Sequence, residues 1–177
     1  MAMTLLTTNT SSGDASSSFT SSIDSTYKLY IFKFIDVNPA TDGAKFTCQF
    51  NVDGGADYDE TITSTAFRAY HDEADSATAF AYLSANDQAD GTAFQHLNTE
   101  MGNGADECLV GEFHLFDPSN TTYTTNFSSR TNVYRENDAT QELYVSGYVN
   151  ATEAVTDVQF KMDSGNMDGI IKMYGVA

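Results

Sequence analysis

An all-β sandwich is the fold this sequence predicts, and three observations predict it. Eight or nine short segments rich in Val, Ile, Phe, Tyr and Thr recur along the 177 residues, bounded by Gly, Pro, Asn and Asp. In the clearest of them apolar and polar residues alternate with a period of two, as a strand with one buried face requires. No strand–helix–strand alternation and no internal repeat appears, so a single jelly-roll-like antiparallel sandwich is expected rather than a parallel sheet, solenoid or propeller.

Taken in order, residues 1–26 read as an N-terminal arm and lead-in, and residues 27–177 as the sandwich. Residues 7–26 are mostly Ser and Thr, a composition suited to crossing a surface, with Phe19 and Ile23 as the anchors by which such an arm would hold a neighbour. Tyr27 to Val37 (YKLYIFKFIDV) is nearly continuous in aromatic and β-branched residues, the pattern of a central strand. Asn38-Pro39-Ala40-Thr41-Asp42-Gly43 then breaks the ladder, because Pro lacks a donor and Gly permits positive φ. Phe46, Cys48, Phe50 and Val52 alternate with Thr47, Gln49 and Asn51, which predicts one core face and one wet face. Thr61 to Tyr70 is the next strand. A long excursion follows at about residues 71–101, where Phe80 and Leu83, then Phe94, Leu97 and Met101, have spacings that suit short helical turns. Strands resume at Cys108–Phe116, Thr122–Ser128, Arg130–Tyr134, Leu143–Val149, Val155–Met162 and Ile170–Val176. The last lies after the turn Ser164-Gly165-Asn166-Met167-Asp168-Gly169 and is expected to be used in the core.

Twenty-five acidic against eight basic residues give a net charge of -17, which repels phosphate backbones and anionic lipid. No nucleic-acid or membrane partner is expected; solubility in a salty medium, calcium binding or a basic partner surface would each account for the charge. Residues 1–6 hold no basic residue and no long apolar run, so no secretory leader is expected, and no stretch is long enough to span a bilayer. Cys48 and Cys108 both fall in strand-like segments, as buried free thiols or, if the strands are neighbours, as one disulfide.

No constellation for catalysis stands out, so neither an enzyme nor a cofactor is expected. Asp53, Asp57 and Asp59 are weak candidate calcium ligands on one loop, but their spacing lacks the EF-hand order and a solvated hairpin loop is the favoured reading. His71, His96 and His114 form no metal-binding pair, and His114 belongs on the solvent side of a sheet, where partner contact is its functional alternative. Val145-Ser146-Gly147 is no nucleophile elbow, since it lies mid-strand. Tyr58, Tyr70, Tyr82 and Tyr123 could stack on sugar rings, but core or interface packing explains them without a ligand and is the favoured reading.

Three stretches carry a resemblance. They are Ser16-Ser17-Ser18-Phe19-Thr20 leading to Ile23-Asp24-Ser25-Thr26-Tyr27-Lys28-Leu29-Tyr30-Ile31-Phe32, the turn Asp36-Val37-Asn38-Pro39-Ala40-Thr41-Asp42 with Asp53-Gly54-Gly55, and the ending from Ser164 to Gly175. Together with His114-Leu115-Phe116-Asp117-Pro118, they resemble small jelly-roll virion proteins of tailed bacteriophages of aquatic bacteria. The resemblance implies a virion structural protein, foremost a homotrimeric capsid decoration or cement protein on the capsid surface that clamps major capsid subunits. A tail fibre or baseplate module binding a host glycan is the alternative. No catalytic residues come with it.

Overall fold

The computed structural model describes residues 2–53, 55 and 57–177. Its strands are β1 (Met3–Asp14), β2 (Ser17–Phe19), β3 (Leu29–Pro39), β4 (Phe46–Val52), β5 (Ile62–Asp72), β6 (Thr78–Tyr82), β7 (Gln95–His96), β8 (Leu109–Phe116), β9 (Thr125–Arg135), β10 (Ala139–Val149), β11 (Val155–Met162) and β12 (Met167–Val176). They pair into an eight-stranded sheet, in the order β1-β12-β3-β8-β9-β10-β5-β6, and a four-stranded sheet, in the order β2-β11-β4-β7. The all-β sandwich forms as the alternation predicts, with twelve strands rather than eight or nine. The two segments expected at 122–128 and 130–134 merge into β9, where Ser129 is buried and its hydroxyl donates to the Glu112 carbonyl at 3.2 Å.

Phenylalanine holds the two sheets together. Phe160 of the small sheet has ring centroids of Phe32, Phe34 and Phe113 of the large sheet at 5.3, 5.1 and 5.9 Å, with Phe46 and Phe19 of its own sheet at 5.7 and 6.2 Å. Phe50, Phe113 and Phe127 extend this cluster. Most of these contacts are edge-to-face or tilted, the arrangement that the ring quadrupole favours. β3 needs a bulge near Asp36, which has φ 51°, and Gly169 of β12 makes room for it. A Cβ on Gly169 would lie 2.8 Å from Val37 Cα, and its own φ is +126°.

Three expectations are corrected. The Ser/Thr-rich segment is no free arm: residues 3–14 form β1, paired antiparallel with β12 from Met3–Val176 to Asp14–Met167. Its backbone groups find a partner strand within the chain, which composition alone does not reveal. Phe19 and Ile23 accordingly are not anchors on a neighbour but core residues, 2% and 6% exposed.

The helical turns expected within 71–101 are also absent; among the described residues no helix forms. β6 and β7 arise there, and buried amides organise the coil between and after them. Gln95 Nε2 donates to the carbonyls of Asn86 and His96 at 2.7 and 2.9 Å, Asn86 Nδ2 donates to Asn98 O at 3.0 Å, and Asn98 Oδ1 accepts from Phe46 N at 2.5 Å. Leu97 and Met101 are fully buried by this path rather than by a helix face.

Finally, the wet face of β4 is covered. Thr47, Gln49 and Asn51 are at most 3% exposed, because the chain after β4 and the chain around residue 92 fold over them. Gln49 Nε2 donates to the carbonyls of Glu60, Thr92 and Ala93 at 3.0 to 3.1 Å, and Tyr58 N donates to Asn51 Oδ1 at 2.7 Å.

Two outcomes follow for stability. Phe160→Ala removes the ring shared by both sheets and is expected to cost about 3–5 kcal/mol in urea unfolding. His96, at the small sheet's edge, has its imidazole held below the ordinary 6.5 by burial and then by the charge of Lys45. The unfolded chain therefore takes up a proton before the folded one does, so this contribution is complete above 6.5 and lost as pH falls through the lower folded value. His96→Gln should show a shallower fall in urea midpoint than the parent between about pH 7.5 and 5.

Candidate functional site

The residues singled out for chemistry are not gathered. Asp53 follows β4 and donates its N–H to Ala154 O at 2.8 Å, while Glu60 turns back so that its carboxylate accepts from Val52 N at 3.3 Å. Burial raises the Glu60 carboxyl above its usual range. Among the described residues, no three His, Cys, Asp or Glu side chains are placed to hold a metal ion, so Asp53, Asp57 and Asp59 assemble no calcium site there. Gly54 and Ala56 of the same loop lie outside the described residues.

His71 contacts Asp75 at 3.1 Å in an exposed turn, His96 is on the small sheet and His114 is on the outer face of the large one. Cys48 is buried in β4 and Cys108 half-buried before β8; both are free, and burial pushes both thiols up. The four tyrosines separate as well. Tyr58 is half-buried beside β4, Tyr70 lies under the guanidinium groups of Arg68 and Arg135, each 5.4 Å from its ring, and Tyr123 stands alone in a turn. Tyr82 lies on the outer face of the large sheet.

Two surfaces are left with unusual chemistry. The first is the free edge of β1. β1 pairs only with β12 within its sheet, so along its outer side alternate residues present N–H and C=O groups that no strand meets. Bulges interrupt this edge between Leu5 and Thr7 and between Ser12 and Asp14, where Ser12 N and Gly13 N donate to Asp14 and Asp168. In a chain of net charge -17, residues 2–13 carry no charge, and Met3 and Leu5 are about half exposed. The devices that usually blunt an edge, charge and proline, do not occur in β1 before its last residue, Asp14.

The second surface is a groove across the outer face, built by the registers of β5, β10 and β9. Thr65, Ser146 and Ser128 lie opposite one another on these strands and form a floor of short hydroxyl side chains. On one side, Phe67 and Tyr144 are directly paired, their rings stacked at 4.9 Å and 6°, with Tyr82 next in line on β6. On the other side, Thr63, Tyr148 and Asn126 make the second row. The rows flanking the floor are four residues apart along each strand, about 13 Å at the usual strand rise. A depression of about 370 Å³ lies between the floor and this second row, lined by Thr63, Thr65, Asn126, Ser146, Gly147 and Tyr148; the aromatic row stands on the far side of the floor from it.

The aromatic wall is exposed to solvent. Phe67 is 36%, Tyr82 58% and the adjoining Phe80 78% exposed, on a sheet edge where β6 has no further strand. Tyr82 donates its hydroxyl to the Asp87 carboxylate, and this bond raises its pKa. Beyond Tyr144 the same row continues into the cross-strand pairs Arg130–Glu142 and Lys33–Glu112, with the Arg130 guanidinium 5.7 Å from the Tyr144 ring. Lys33 holds the Glu112 carboxyl below its usual range. These exposed pairs add little stability; they close the neutral groove with charge at one corner.

The alternation rightly places His114 on this outer face, but it gives no account of the groove. The signal was Tyr144-Val145-Ser146-Gly147-Tyr148, which puts tyrosine, serine and tyrosine on one face. It became a site only once β5 and β9 supplied Thr65 and Ser128. No protein-family model matches this chain, and no curated protein matches it.

Proposed function

We propose that this chain is a non-enzymatic virion structural protein of the capsid decoration or cement type, which works by binding and stabilising neighbouring major capsid subunits. The observation that carries the reading is the free edge of β1, long and uncharged, in an otherwise strongly acidic chain. An extended segment of a capsid subunit or of a sister copy that pairs with this edge satisfies its backbone groups and adds a strand to the sheet. The remaining acidity suits a basic partner surface, with rate and specificity set by charge complementarity. The resemblance of the strands and turns to phage virion proteins supplies the setting, and a homotrimer is part of the same proposal.

A second reading, a tail fibre or baseplate module that binds a host-surface glycan, is favoured by the hydroxyl floor and the exposed aromatic row beside it.

The test is retention on purified heads. The parent protein should co-sediment with tail-less heads, in hundreds of copies per particle rather than the few or tens of a tail component. The double variant Thr8→Lys, Thr10→Lys, both at exposed β1 positions, should keep its urea midpoint but lose about tenfold in retention, since lysine on an edge opposes strand pairing. Absence of the protein from tail-less heads, or unchanged retention of the double variant, overturns the reading.

A further inference from the structure

We infer that the groove floored by Thr65, Ser146 and Ser128 is a binding site for a neutral oligosaccharide lying across the strands. The inference deepens the glycan reading but needs no tail location, since it rests on the groove and holds wherever the chain sits on a particle.

The chemistry of the lining selects this ligand. The floor is three hydroxyl side chains, each able to donate once and accept twice. Asn126 adds an amide whose Nδ2 is used locally on Thr124 O at 3.2 Å, leaving its carbonyl oxygen facing water. The opposite wall is a continuous aromatic face, with Phe67 stacked on Tyr144 and Tyr82 beside them. Sugar rings present that combination in reverse, with C–H faces that pack on aromatic rings and hydroxyls around the rim.

Charge excludes the competing small ligands. The floor residues and the rings of Phe67, Tyr144 and Tyr82 carry no charge; Arg130, which continues the wall row on β9, is paired with Glu142, and the nearest charges on the β6 side are carboxylates. Asp87 holds the Tyr82 ring oxygen, and Asp90 sits over Thr63, its N–H donated to Thr63 Oγ1 at 3.1 Å and its carboxylate bonded to Asn150 Nδ2 at 2.9 Å. Phosphorylated, sulfated or uronic ligands would meet repulsion there, whereas neutral sugars gain acceptors for their hydroxyls.

The site is also built rather than incidental. Gly147 lies under the floor, where a Cβ would come within 2.5 Å of Thr63 O and 2.9 Å of the Phe127 ring. Ser146 and Tyr148 therefore stand over backbone that approaches closely and cannot be raised by a side chain. The three strands that make the floor span about 10 Å, room for a di- or trisaccharide.

The test uses the full chain and a set of neutral oligosaccharides, maltohexaose, laminarihexaose and cellohexaose, with an oligogalacturonate as the anionic probe. The sequence has no tryptophan, so binding is read from tyrosine fluorescence and from amide shifts in ¹H–¹⁵N spectra. The expected result is saturable binding of at least one neutral probe with shifts centred on Thr65, Ser128 and Ser146, and none for the anionic probe. Tyr82→Ala and Ser146→Arg, both at exposed positions, should each weaken it about tenfold without changing the urea midpoint.

The inference is overturned if no neutral probe binds, if the shifts map elsewhere, or if the oligogalacturonate binds as well as the neutral probes. It is also overturned if Tyr82→Ala changes the sedimentation mass and leaves sugar binding alone, because the aromatic wall is then a contact between copies. Head retention of these variants is a separate readout: its loss without loss of sugar binding speaks against the capsid reading alone.

Discussion

The structure depends on one ring, Phe160, and on the rings it meets. Five phenylalanines lie about 5–6 Å from it, three of them from the opposite sheet, so the packing of the sandwich is set at this point. Fixing Phe160 fixes the register of β11, which pairs with β4 on one side and β2 on the other. That in turn holds Phe19 and Ile23 inward. With two sheets of such unequal width, the aromatic cluster can cover only the central strands of the larger one.

The rest of that inner face is covered by coil. The segment from β6 to β8 packs there, and its backbone is satisfied partly by short pairings, β7 with β4 and Gly91 with Ile62, and partly by buried Asn and Gln side chains. Gln95 shows the principle, its Oε1 accepting from Ser64 Oγ at 2.7 Å while its Nε2 donates to the carbonyls of Asn86 and His96. A buried amide with partners at both ends specifies one path for the chain, since leaving it unpaired costs free energy that no other path recovers. Loop and sheet are for this reason one cooperative unit.

The inequality of the sheets also produces the surfaces. β1 and β6 lie at the two ends of the large sheet, each with one open side, and the strands near β6 present a whole face to solvent. One end is uncharged backbone, suited to another strand; the other is rings and hydroxyls, suited to a sugar. Both are consequences of a sheet wider than its partner. Neither involves titratable groups in chemistry, and the charge of -17 lies outside them, where it discourages nonspecific contact.

What the sequence determined by itself was the local pattern. β4 and β11 could be read to the residue, and β3, β5 and β8 to within two residues at each end, because apolar and β-branched segments bounded by turn residues mark strands. β10 and β12, by contrast, begin four and three residues before the segments that sequence marks, β12 taking in Met167 to Gly169 of the expected turn. What only the tertiary structure decided was everything that needs a partner distant in the chain. Residues 3–14 became a strand because β12, more than 150 positions away, offered an edge, and Ser/Thr composition does not encode that pairing. Gln49 was buried, against its polarity, because two loops brought carbonyls to it. The groove appeared only when three registers placed Thr65, Ser146 and Ser128 side by side. Alternation tells which face a side chain takes, but only the pairing of strands says what stands next to it.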